Sequence, residues 1–376
     1  MTARWMSAAM LVAIAGCDAS VPARTDASPT IDGATQGDAP AGGPMFVYTG
    51  GTDDRIHVFT IDEQTLALTP AGSTATGAGP SFLAFDPSSE ARWLVAVNEN
   101  GDGVESYAID HTTGALARVD GASSQGSGPA HVSIDRTGAW TLVANYGDGT
   151  AAVLPIAANG SFGSPTATLS PGANAHEIIT NAANSIVYIP CLGIDRVQTY
   201  AFDVAHGTLA AKSPGVAPSG AGPRHIALAT DGKTAWVINE KASTITTYAI
   251  GNDGTLTAGT TISSRKQGAS VSNTGAEIAL HPSGKWLYVS NRGDDDLGVF
   301  AVASDGALTA IAHTPTEGAR PRHFSILPGG KALLVANQDS GTIVGFTIDQ
   351  STGLLTSRGT VANVPGPEFV AGVRMP

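Results

Sequence analysis

The stretch Gly222-Pro223-Arg224-His225-Ile226-Ala227 opens the fullest of seven copies of one sequence unit. In this copy it is followed by a turn at Asp231-Gly232-Lys233, an apolar run that ends at Asn239-Glu240, and a β-branched run over Ser243–Tyr248. The unit restarts at Pro80, Pro129, Ala175, Pro223, Ala276, Pro321 and Pro367. Because the unit restarts at nearly equal intervals along the chain, the sequence indicates a repeat architecture.

Each unit reads as a short β-meander. Runs of Val, Ile, Tyr and Thr alternate with Gly, Asp, Asn and Pro turns, and no segment has a convincing helical period. In the sixth unit the pattern predicts strands over Glu277–His281, Trp286–Ser290 and Leu297–Val302, and a fourth around Leu308–Ile311. Four antiparallel strands in a unit of this size are typical of a propeller blade; a solenoid is the alternative.

The two ends of the repeat region predict how the ring closes. Met45–Thr49 matches a second strand and has no first strand before it. The C-terminal Gly366–Ala371 matches the first strand at Gly79–Ala84. We therefore expect an all-β, seven-bladed β-propeller with four antiparallel strands per blade, whose first blade is closed by the C-terminal strand.

Composition agrees with this fold and excludes one class of partner. Only 14% of the 376 residues are charged, and 46 are Gly, as expected for an all-β protein with many tight turns. The net charge is −12 and no Lys/Arg run occurs, so a nucleic-acid-binding surface is not expected. The folded domain is predicted to span residues 45–376.

The N-terminal region has the features of an export signal. Arg4 precedes a short apolar run at Ala8–Ile14, and Ile14-Ala15-Gly16-Cys17 resembles a bacterial lipobox. Residues 1–16 are interpreted as a lipoprotein signal peptide, Cys17 as the lipid anchor, and residues 17–44 as a flexible tether. The protein is then exported and lipid-anchored in the cell envelope, with no other membrane contact. An ordinary signal peptide is the alternative.

Cys191 is the only cysteine of the predicted mature domain besides the anchor. No internal disulfide is therefore expected. A small apolar packing role is the interpretation of this side chain, and a catalytic thiol is the alternative.

Counting paired residues outward from each predicted hairpin turn places the unusual polar residues at one end of the blades. With the fifth turn centred between Asp231 and Gly232, Arg224 is predicted to face Asn239, beside Glu240. The same count places Arg322 opposite Asn337 and Arg292 at a strand end. All lie where a first strand begins and a second strand ends, which in a propeller is one rim of the channel. The set at this rim also includes His131, His176, Glu177, His225, His323 and Asn98.

These residue types can bind and polarise an anionic or carbonyl substrate. The planar guanidinium group of arginine has several N–H donors that can bind an anion or a carbonyl oxygen. Histidine and glutamate side chains can transfer protons near neutral pH. Structural roles remain open: the repeated Asn as turn caps, an Arg224–Glu240 ion pair, and structural hydrogen bonds for His131 and His323. No nucleotide-binding, nucleophile-elbow or metal-ligand motif occurs, so neither a cofactor nor a metal is expected, and Asp294–Asp296 is interpreted as a solvated turn.

The motifs taken together resemble the seven-bladed propeller lactonases, which include bacterial cycloisomerase-type 6-phosphogluconolactonases and fungal carboxymuconate cyclase. The resemblance covers about residues 46–373. It is strongest in Val143–Gly147, Leu192–Arg196, Gly222–His225, Val237–Glu240 and His281–Arg292.

The resemblance implies catalytic roles for His176, Arg224, Glu240 and Arg292, the residues that match the family's proposed active set. Substrate contacts are expected from Arg196 and from the remaining rim residues His131, His225, Arg322 and His323. Glu240 or His176 would activate water, while Arg224 and Arg292 stabilise the oxyanion. This chain departs from many members in having Asn174-Ala175 before the matching histidine, and Cys191 where several have Asp.

The expected function is therefore hydrolysis of a sugar or organic-acid lactone at the channel mouth by a monomeric enzyme. Two alternatives stay open at this point. The domain could be a non-catalytic, envelope-anchored binding module, because 6-phosphogluconolactone is made in the cytosol and this chain is predicted to leave it. It could also be a metal-dependent gluconolactonase-type propeller, whose carboxylate and Asn ligands are not evident here.

Overall fold

Seven antiparallel sheets contain all the strands of the computed structural model, which describes residues 42–376. The assignments made above for the signal peptide, for Cys17 and for the tether up to residue 41 lie outside this range. No helix long and apolar enough to cross a bilayer occurs within the described range.

Each sheet is one blade, numbered here in the order of the sequence units, and its strands run from the central axis outward. Blade 1 consists of β29 (Pro367–Arg374), β1 (Met45–Gly51), β2 (Arg55–Ile61) and β3 (Leu68–Ala75), and blade 2 of β4 (Leu83–Phe85), β5 (Trp93–Asn98), β6 (Gly103–Ile109) and β7 (Leu116–Ser123). Blade 3 consists of β8 (Pro129–Ile134), β9 (Trp140–Asn145), β10 (Thr150–Pro155) and β11 (Ala167–Leu169). Blade 4 consists of β12 (Ile179–Thr180), β13 (Ile186–Cys191), β14 (Arg196–Asp203), β15 (Thr208–Ala211) and β16 (Gly215–Val216).

The remaining three blades follow the same plan. Blade 5 consists of β17 (Pro223–Leu228), β18 (Thr234–Asn239), β19 (Thr244–Ile250) and β20 (Leu256–Ser263). Blade 6 consists of β21 (Gly275–Leu280), β22 (Trp286–Asn291), β23 (Asp296–Val302) and β24 (Leu308–Pro315). Blade 7 consists of β25 (Pro321–Ile326), β26 (Ala332–Asn337), β27 (Thr342–Ile348) and β28 (Leu355–Asn363). Blade 4 differs slightly, because β15 and β16 both pair with β14 and together form an interrupted outer strand.

The predicted closure of the ring is confirmed. The C-terminal strand β29 pairs with β1 from Met45↔Arg374 to Thr49↔Val370, so one sheet contains both ends of the propeller. First strands contact one another between blades 2 and 3 and from blade 5 through blades 6 and 7 to blade 1. Blade 1, which contains both chain ends, packs against blade 7 on one side and against blade 2 on the other, so its faces are not left open.

Neighbouring blades are joined by apolar packing and by one repeated hydrogen bond. Between blades 6 and 7, Tyr288 packs in a buried cluster with Phe324 and Phe346. Its hydroxyl donates to the carbonyl of Gly353 in the next blade at 2.8 Å. This glycine has φ +73°, and a Cβ there would lie 2.4 Å from the Trp286 ring, so no other residue fits the turn. Tyr48 and Tyr188 make the same bond at Gly114 and Gly254.

The predicted register is wrong by one residue at the start of several first strands. Pro223, not Arg224, pairs with Asn239, and Pro321, not Arg322, pairs with Asn337. The ladder skips a residue there and resumes at His225 and at His323. This is a β-bulge, which the hairpin count does not include. Its consequence is that two successive residues of each first strand reach the axis of the propeller.

Candidate active site

Backbone hydrogen bonds define equivalent positions around the channel. The residue after each second strand donates its N–H to a backbone carbonyl that precedes the first strand of the same blade, as Glu240 does to Gly222 and Arg292 to Thr274. We call these seven positions the upper ring: Thr52, Glu99, Tyr146, Leu192, Glu240, Arg292 and Gln338.

The bulges contribute two deeper rings. The middle ring consists of the first residue skipped at the bulge and, in blades 2 and 4, of the matching residue of the aligned unit: Ser81, Ala130, His176, Arg224, Ala276, Arg322 and Glu368. The next residue belongs to the inner ring: Phe82, His131, Glu177, His225, Glu277, His323 and Phe369. We refer to the space bounded by the upper and middle rings as the mouth chamber.

The predicted catalytic residues lie in adjacent blades of the mouth chamber. One oxygen of Glu240, Oε2, is 3.1 Å from Arg224 Nε and 2.8 Å from Arg292 Nη2. Both guanidinium groups are also anchored to the first strand of blade 6, since Arg224 Nη1 donates to the Ala276 carbonyl and Arg292 Nη2 to that of Gly275. The Arg224–Glu240 ion pair, left open as a structural alternative, is therefore present and is shared with a second arginine.

His176 lies beside this cluster. Its ring is 5.1 Å from that of His225 and 5.5 Å from that of Tyr146, between centroids. Burial lowers the pKa of His176 well below its usual value, and the positive charge of Arg224 acts in the same direction. The imidazole is therefore neutral at pH 7, and one of its ring nitrogens has a free lone pair.

Burial also affects Arg224, without removing its charge. It lowers the pKa of this guanidinium to about 9, assisted by Arg292 and opposed by Glu240. Arg224 thus stays cationic at pH 7. Arg224 and Arg292, both in contact with Glu240, can therefore stabilise an oxyanion, because most water is excluded from this site.

Across the chamber lies a second cluster of carboxylates and an arginine. Arg322 Nη2 is 3.4 Å from Glu99 Oε2, and its Nε is 3.6 Å from Glu368 Oε1. Gln338 Nε2 donates to Glu368 Oε1 at 2.6 Å. Burial and the nearby charge of Glu99 raise the pKa of Glu368, whereas Arg322 opposes this.

The sequence analysis did not single out Glu99 or Glu368. Val97-Asn98-Glu99 has the same Asn-Glu pair as Val237–Glu240, and comparing every residue that follows a repeated Asn would have found it. Glu368 occupies in Gly366-Pro367-Glu368 the position that Arg224 has in its own Gly-Pro segment, which is an equally available signal.

The other predicted substrate-binding residues lie elsewhere. His131, His225 and His323 belong to the inner ring, below the chamber, and burial lowers the pKa of each of them. Glu277 is 2.9 Å from His225 Nδ1 and 3.5 Å from His323 Nε2, and burial raises its pKa. Arg196 begins β14 and pairs with Cys191 and Val216, outside all three rings.

The inner ring is bonded from blade to blade. Nδ1 of His131 accepts a hydrogen bond from the Ile178 N–H, and Nδ1 of His323 accepts one from the Val370 N–H. Such bonds correspond to the structural alternative for these two histidines. The rings of Phe82 and Phe369 pack against them. The inner ring therefore closes the channel below the mouth chamber.

Beyond the inner ring, the described residues line a cavity of about 820 Å³ at the opposite end of the channel. Its wall is largely aliphatic, with Ile134, Ile179, Leu228 and Leu280, and its charged groups lie on the turns between first and second strands. It contains no cluster comparable to the two arginine–carboxylate groups of the mouth chamber.

Several residues have structural roles. The repeated Asn side chains are buried and cap turns: Asn291 Nδ2 donates to Ser264 O and to Asp296 Oδ1. The turn interpreted at Asp294–Asp296 is present, but it is not fully solvated. Asp294 forms an ion pair with Arg265, and Asp295 accepts the Arg320 N–H. Cys191 is a free, buried cysteine, and burial raises the pKa of its thiol to about 12, which disfavours the reactive thiolate.

The family model for the seven-bladed β-propeller lactonases matches residues 46–371. The chain belongs to this family of lactonase enzymes. It is similar to the 6-phosphogluconolactonase of Bacillus subtilis, with 30% identity over 345 residues that cover 87% of this chain and 97% of the relative. It is also similar to the 6-phosphogluconolactonase of Sodalis glossinidius, at 33% identity over 87% of this chain and 98% of that one.

Among solved structures, the chain is similar to the periplasmic gluconolactonase of Pseudomonas aeruginosa. The TM-score is 0.82 at 27% identity, and the match covers 89% of this chain and 100% of the other. Lactonase-family relatives named for a phosphorylated substrate and for gluconolactone thus share this propeller. The family name alone does not say which of the two this enzyme uses.

Proposed function

We propose that this lactonase-family enzyme hydrolyses a sugar lactone in the mouth chamber. The observation that carries the proposal is the pair of guanidinium groups, Arg224 and Arg292, that share one oxygen of Glu240 beside the neutral imidazole of His176. A lactone carbonyl placed at this cluster would have a base for water on one side and two cations for the developing oxyanion.

In the proposed mechanism, His176 takes a proton from water, whose oxygen attacks the lactone carbonyl. Arg224 and Arg292 stabilise the negative charge of the tetrahedral intermediate. The bond to the ring oxygen then breaks, and the leaving alkoxide receives the proton from His176. Of the two candidate bases, His176 is favoured because Glu240 Oε2 is already bound by two guanidinium groups. Glu240 therefore acts by holding the two arginines in place.

Arg224→Ala tests this proposal. The variant should lose about 100- to 1,000-fold in kcat on lactones, the usual effect of removing one oxyanion donor. The thermal midpoint checks that the propeller is retained. Thr230→Trp, which adds bulk to the cavity at the opposite end, is the matched control and should turn over like the wild type. Full activity of Arg224→Ala, or loss in the control alone, would contradict the proposal.

The two alternatives are less well supported. The family match and the paired charges of the mouth chamber do not favour a non-catalytic binding module. A metal-dependent reaction would require clustered ligands, and within residues 42–376 no group of three or more His, Cys, Asp and Glu side chains is arranged to hold a metal ion. We expect turnover to be unchanged by EDTA after exhaustive dialysis.

Lipid anchoring in the cell envelope is part of the proposal and rests on the sequence of residues 1–17 alone. It predicts that the full chain labels with radioactive palmitate in bacterial cells and partitions into the detergent phase. Cys17→Ser should abolish both properties. Labelling of that variant would contradict the lipobox assignment. The monomeric state likewise stays a prediction, to be checked by light scattering.

A further inference from the structure

The charges of the mouth chamber balance. Its two rings contain three arginines, at positions 224, 292 and 322, and three glutamates, at positions 99, 240 and 368. Each guanidinium lies within 3.6 Å of a carboxylate oxygen. With His176 neutral, the formal charge of the two rings is zero. The protein as a whole has a net charge of −12.

Arg224 and Arg292 are assigned to the oxyanion, and Arg322 lies between Glu99 and Glu368, so no arginine of the two rings remains for a second anion. Recognition of phosphate needs guanidinium, ammonium or N–H donors that are not already bound to carboxylates. Arg320 and Lys241, which are close to ring residues in sequence, also have partners: Arg320 donates to Gln338 and lies 3.8 Å from Asp339, and Lys241 donates to the Leu192 carbonyl. A phosphate dianion would have to compete with a carboxylate for its arginine.

The balance is also uneven across the chamber. On the side of His176, two arginines share Glu240, so that side has an excess of positive charge. On the opposite side, Arg322 lies between Glu99 and Glu368. Carboxylate oxygens accept hydrogen bonds from hydroxyl groups. The Glu99 side chain is 28% exposed, and this leaves it accessible to a ligand.

We infer that the mouth chamber selects an uncharged, polyhydroxylated lactone and discriminates against its phosphorylated counterpart. The lactone carbonyl faces Arg224 and Arg292, and the sugar hydroxyls face Glu99 and Glu368. The inference rests on the proposed function and deepens it, because it names the substrate class of that same site.

The first measurement is kcat/KM for δ-gluconolactone and for 6-phospho-δ-gluconolactone with the wild-type enzyme, each corrected for spontaneous hydrolysis. We expect a preference of about tenfold or more for the neutral lactone, since one charged hydrogen bond is worth about that factor. A preference for the phosphorylated lactone overturns the inference and leaves the proposed function intact. No turnover of either substrate, or of any lactone in a wider panel, overturns the proposed function itself.

The second measurement releases Arg322. Glu99→Gln and Glu368→Gln each remove a negative charge beside this arginine and keep the size of the side chain. We expect each variant to shift the preference toward the phosphorylated lactone by about tenfold, chiefly through KM. Inhibition by inorganic phosphate, weak for the wild type, should strengthen in parallel. An unchanged preference in both folded variants would overturn the inference.

Glu63→Gln is the matched control. It removes the same charge from an exposed ion pair with Arg374, away from the three rings. The substrate preference of this variant should equal that of the wild type. A shift as large as in Glu99→Gln would show that net charge, and not the pairing of Arg322, sets the preference, which would also overturn the inference. If Glu368→Gln fails to fold, the more exposed Glu99 carries the test alone.

Discussion

The mouth chamber and the inner ring are made from neighbouring residues of the same strands, and their chemistry differs. Arg224 and His225 are consecutive, yet Arg224 forms an ion pair with Glu240 at the chamber, whereas His225 contacts the fully enclosed Glu277 one level below. Side chains of the chamber carboxylates are 12–28% exposed, and those of His225 and Glu277 are both 2% exposed.

Water accounts for this difference. Ionised arginine and glutamate persist where solvent still reaches part of the cluster, because full burial of a charge costs several kcal/mol. Below that level, burial lowers the pKa of the histidines and raises that of Glu277, which favours their neutral forms. The charges of the proposed catalytic cluster are thus confined to the chamber, and we expect the inner ring to stabilise the propeller. The four predictions that follow test this division, beginning with the largest expected effect.

Replacing the proposed base, His176, should lower activity strongly while changing stability little. His176→Asn is expected to lower kcat by about 1,000-fold, because general base catalysis contributes about 100- to 10,000-fold. Steady-state kinetics and thermal unfolding measure the two quantities. His323→Asn, one level deeper, should keep turnover within about tenfold of the wild type and lose stability instead. The reverse result for this pair of variants would break the division between the two regions.

Glu277→Ala should destabilise the inner ring. The variant leaves His225 and His323 without their carboxyl partner and opens a small cavity, so the free energy of unfolding should fall by about 3 kcal/mol. Urea denaturation measures this value. Turnover of the folded fraction should change less than in His176→Asn. A variant as stable as the wild type would indicate that Glu277 has no structural partner role.

Stability should fall as the pH falls from about 6.5 toward 4. Burial lowers the pKa of His323 to about 4, so the unfolded chain binds this proton first and acid favours unfolding. His131, His176 and His225 act in the same direction, while the raised pKa values of Glu277 and Glu368 oppose it. His323→Asn should reduce the loss between pH 6.5 and 4.5 by about 2 kcal/mol, measured by urea denaturation. An unchanged pH dependence would contradict the assignment.

Cys191 should have the smallest effect. Cys191→Ala removes one buried sulfur that donates only a weak hydrogen bond to the Ile189 carbonyl, and the expected cost is about 1 kcal/mol. Turnover should not change, and a thiol reagent should leave the native wild-type enzyme active. If the reagent inactivated the enzyme without unfolding it, a catalytic role for the Cys191 thiol would have to be reconsidered.

Much of the candidate site could be predicted from the repeat. Aligned copies showed which residues depart from the common pattern, and His176, Arg224, Glu240 and Arg292 do lie in adjacent blades. Glu99 was missed although its Asn-Glu pair was visible. The position of His225 could not be predicted in the same way, because a single-residue bulge shifts the ladder between Pro223 and His225, and hairpin counting assumes an uninterrupted register.

The amino-acid sequence by itself determined the number of blades, the strand order and the closure by the C-terminal strand. These follow from local turn residues and strand-forming runs that recur with one period. Only the tertiary structure decided that three arginines meet three carboxylates, since Arg322 and Glu99 are 223 residues apart. Such pairing depends on where bulges place side chains around a common axis. Burial and, after it, through-space charge decide which of those side chains stay ionised, and neither follows from sequence spacing.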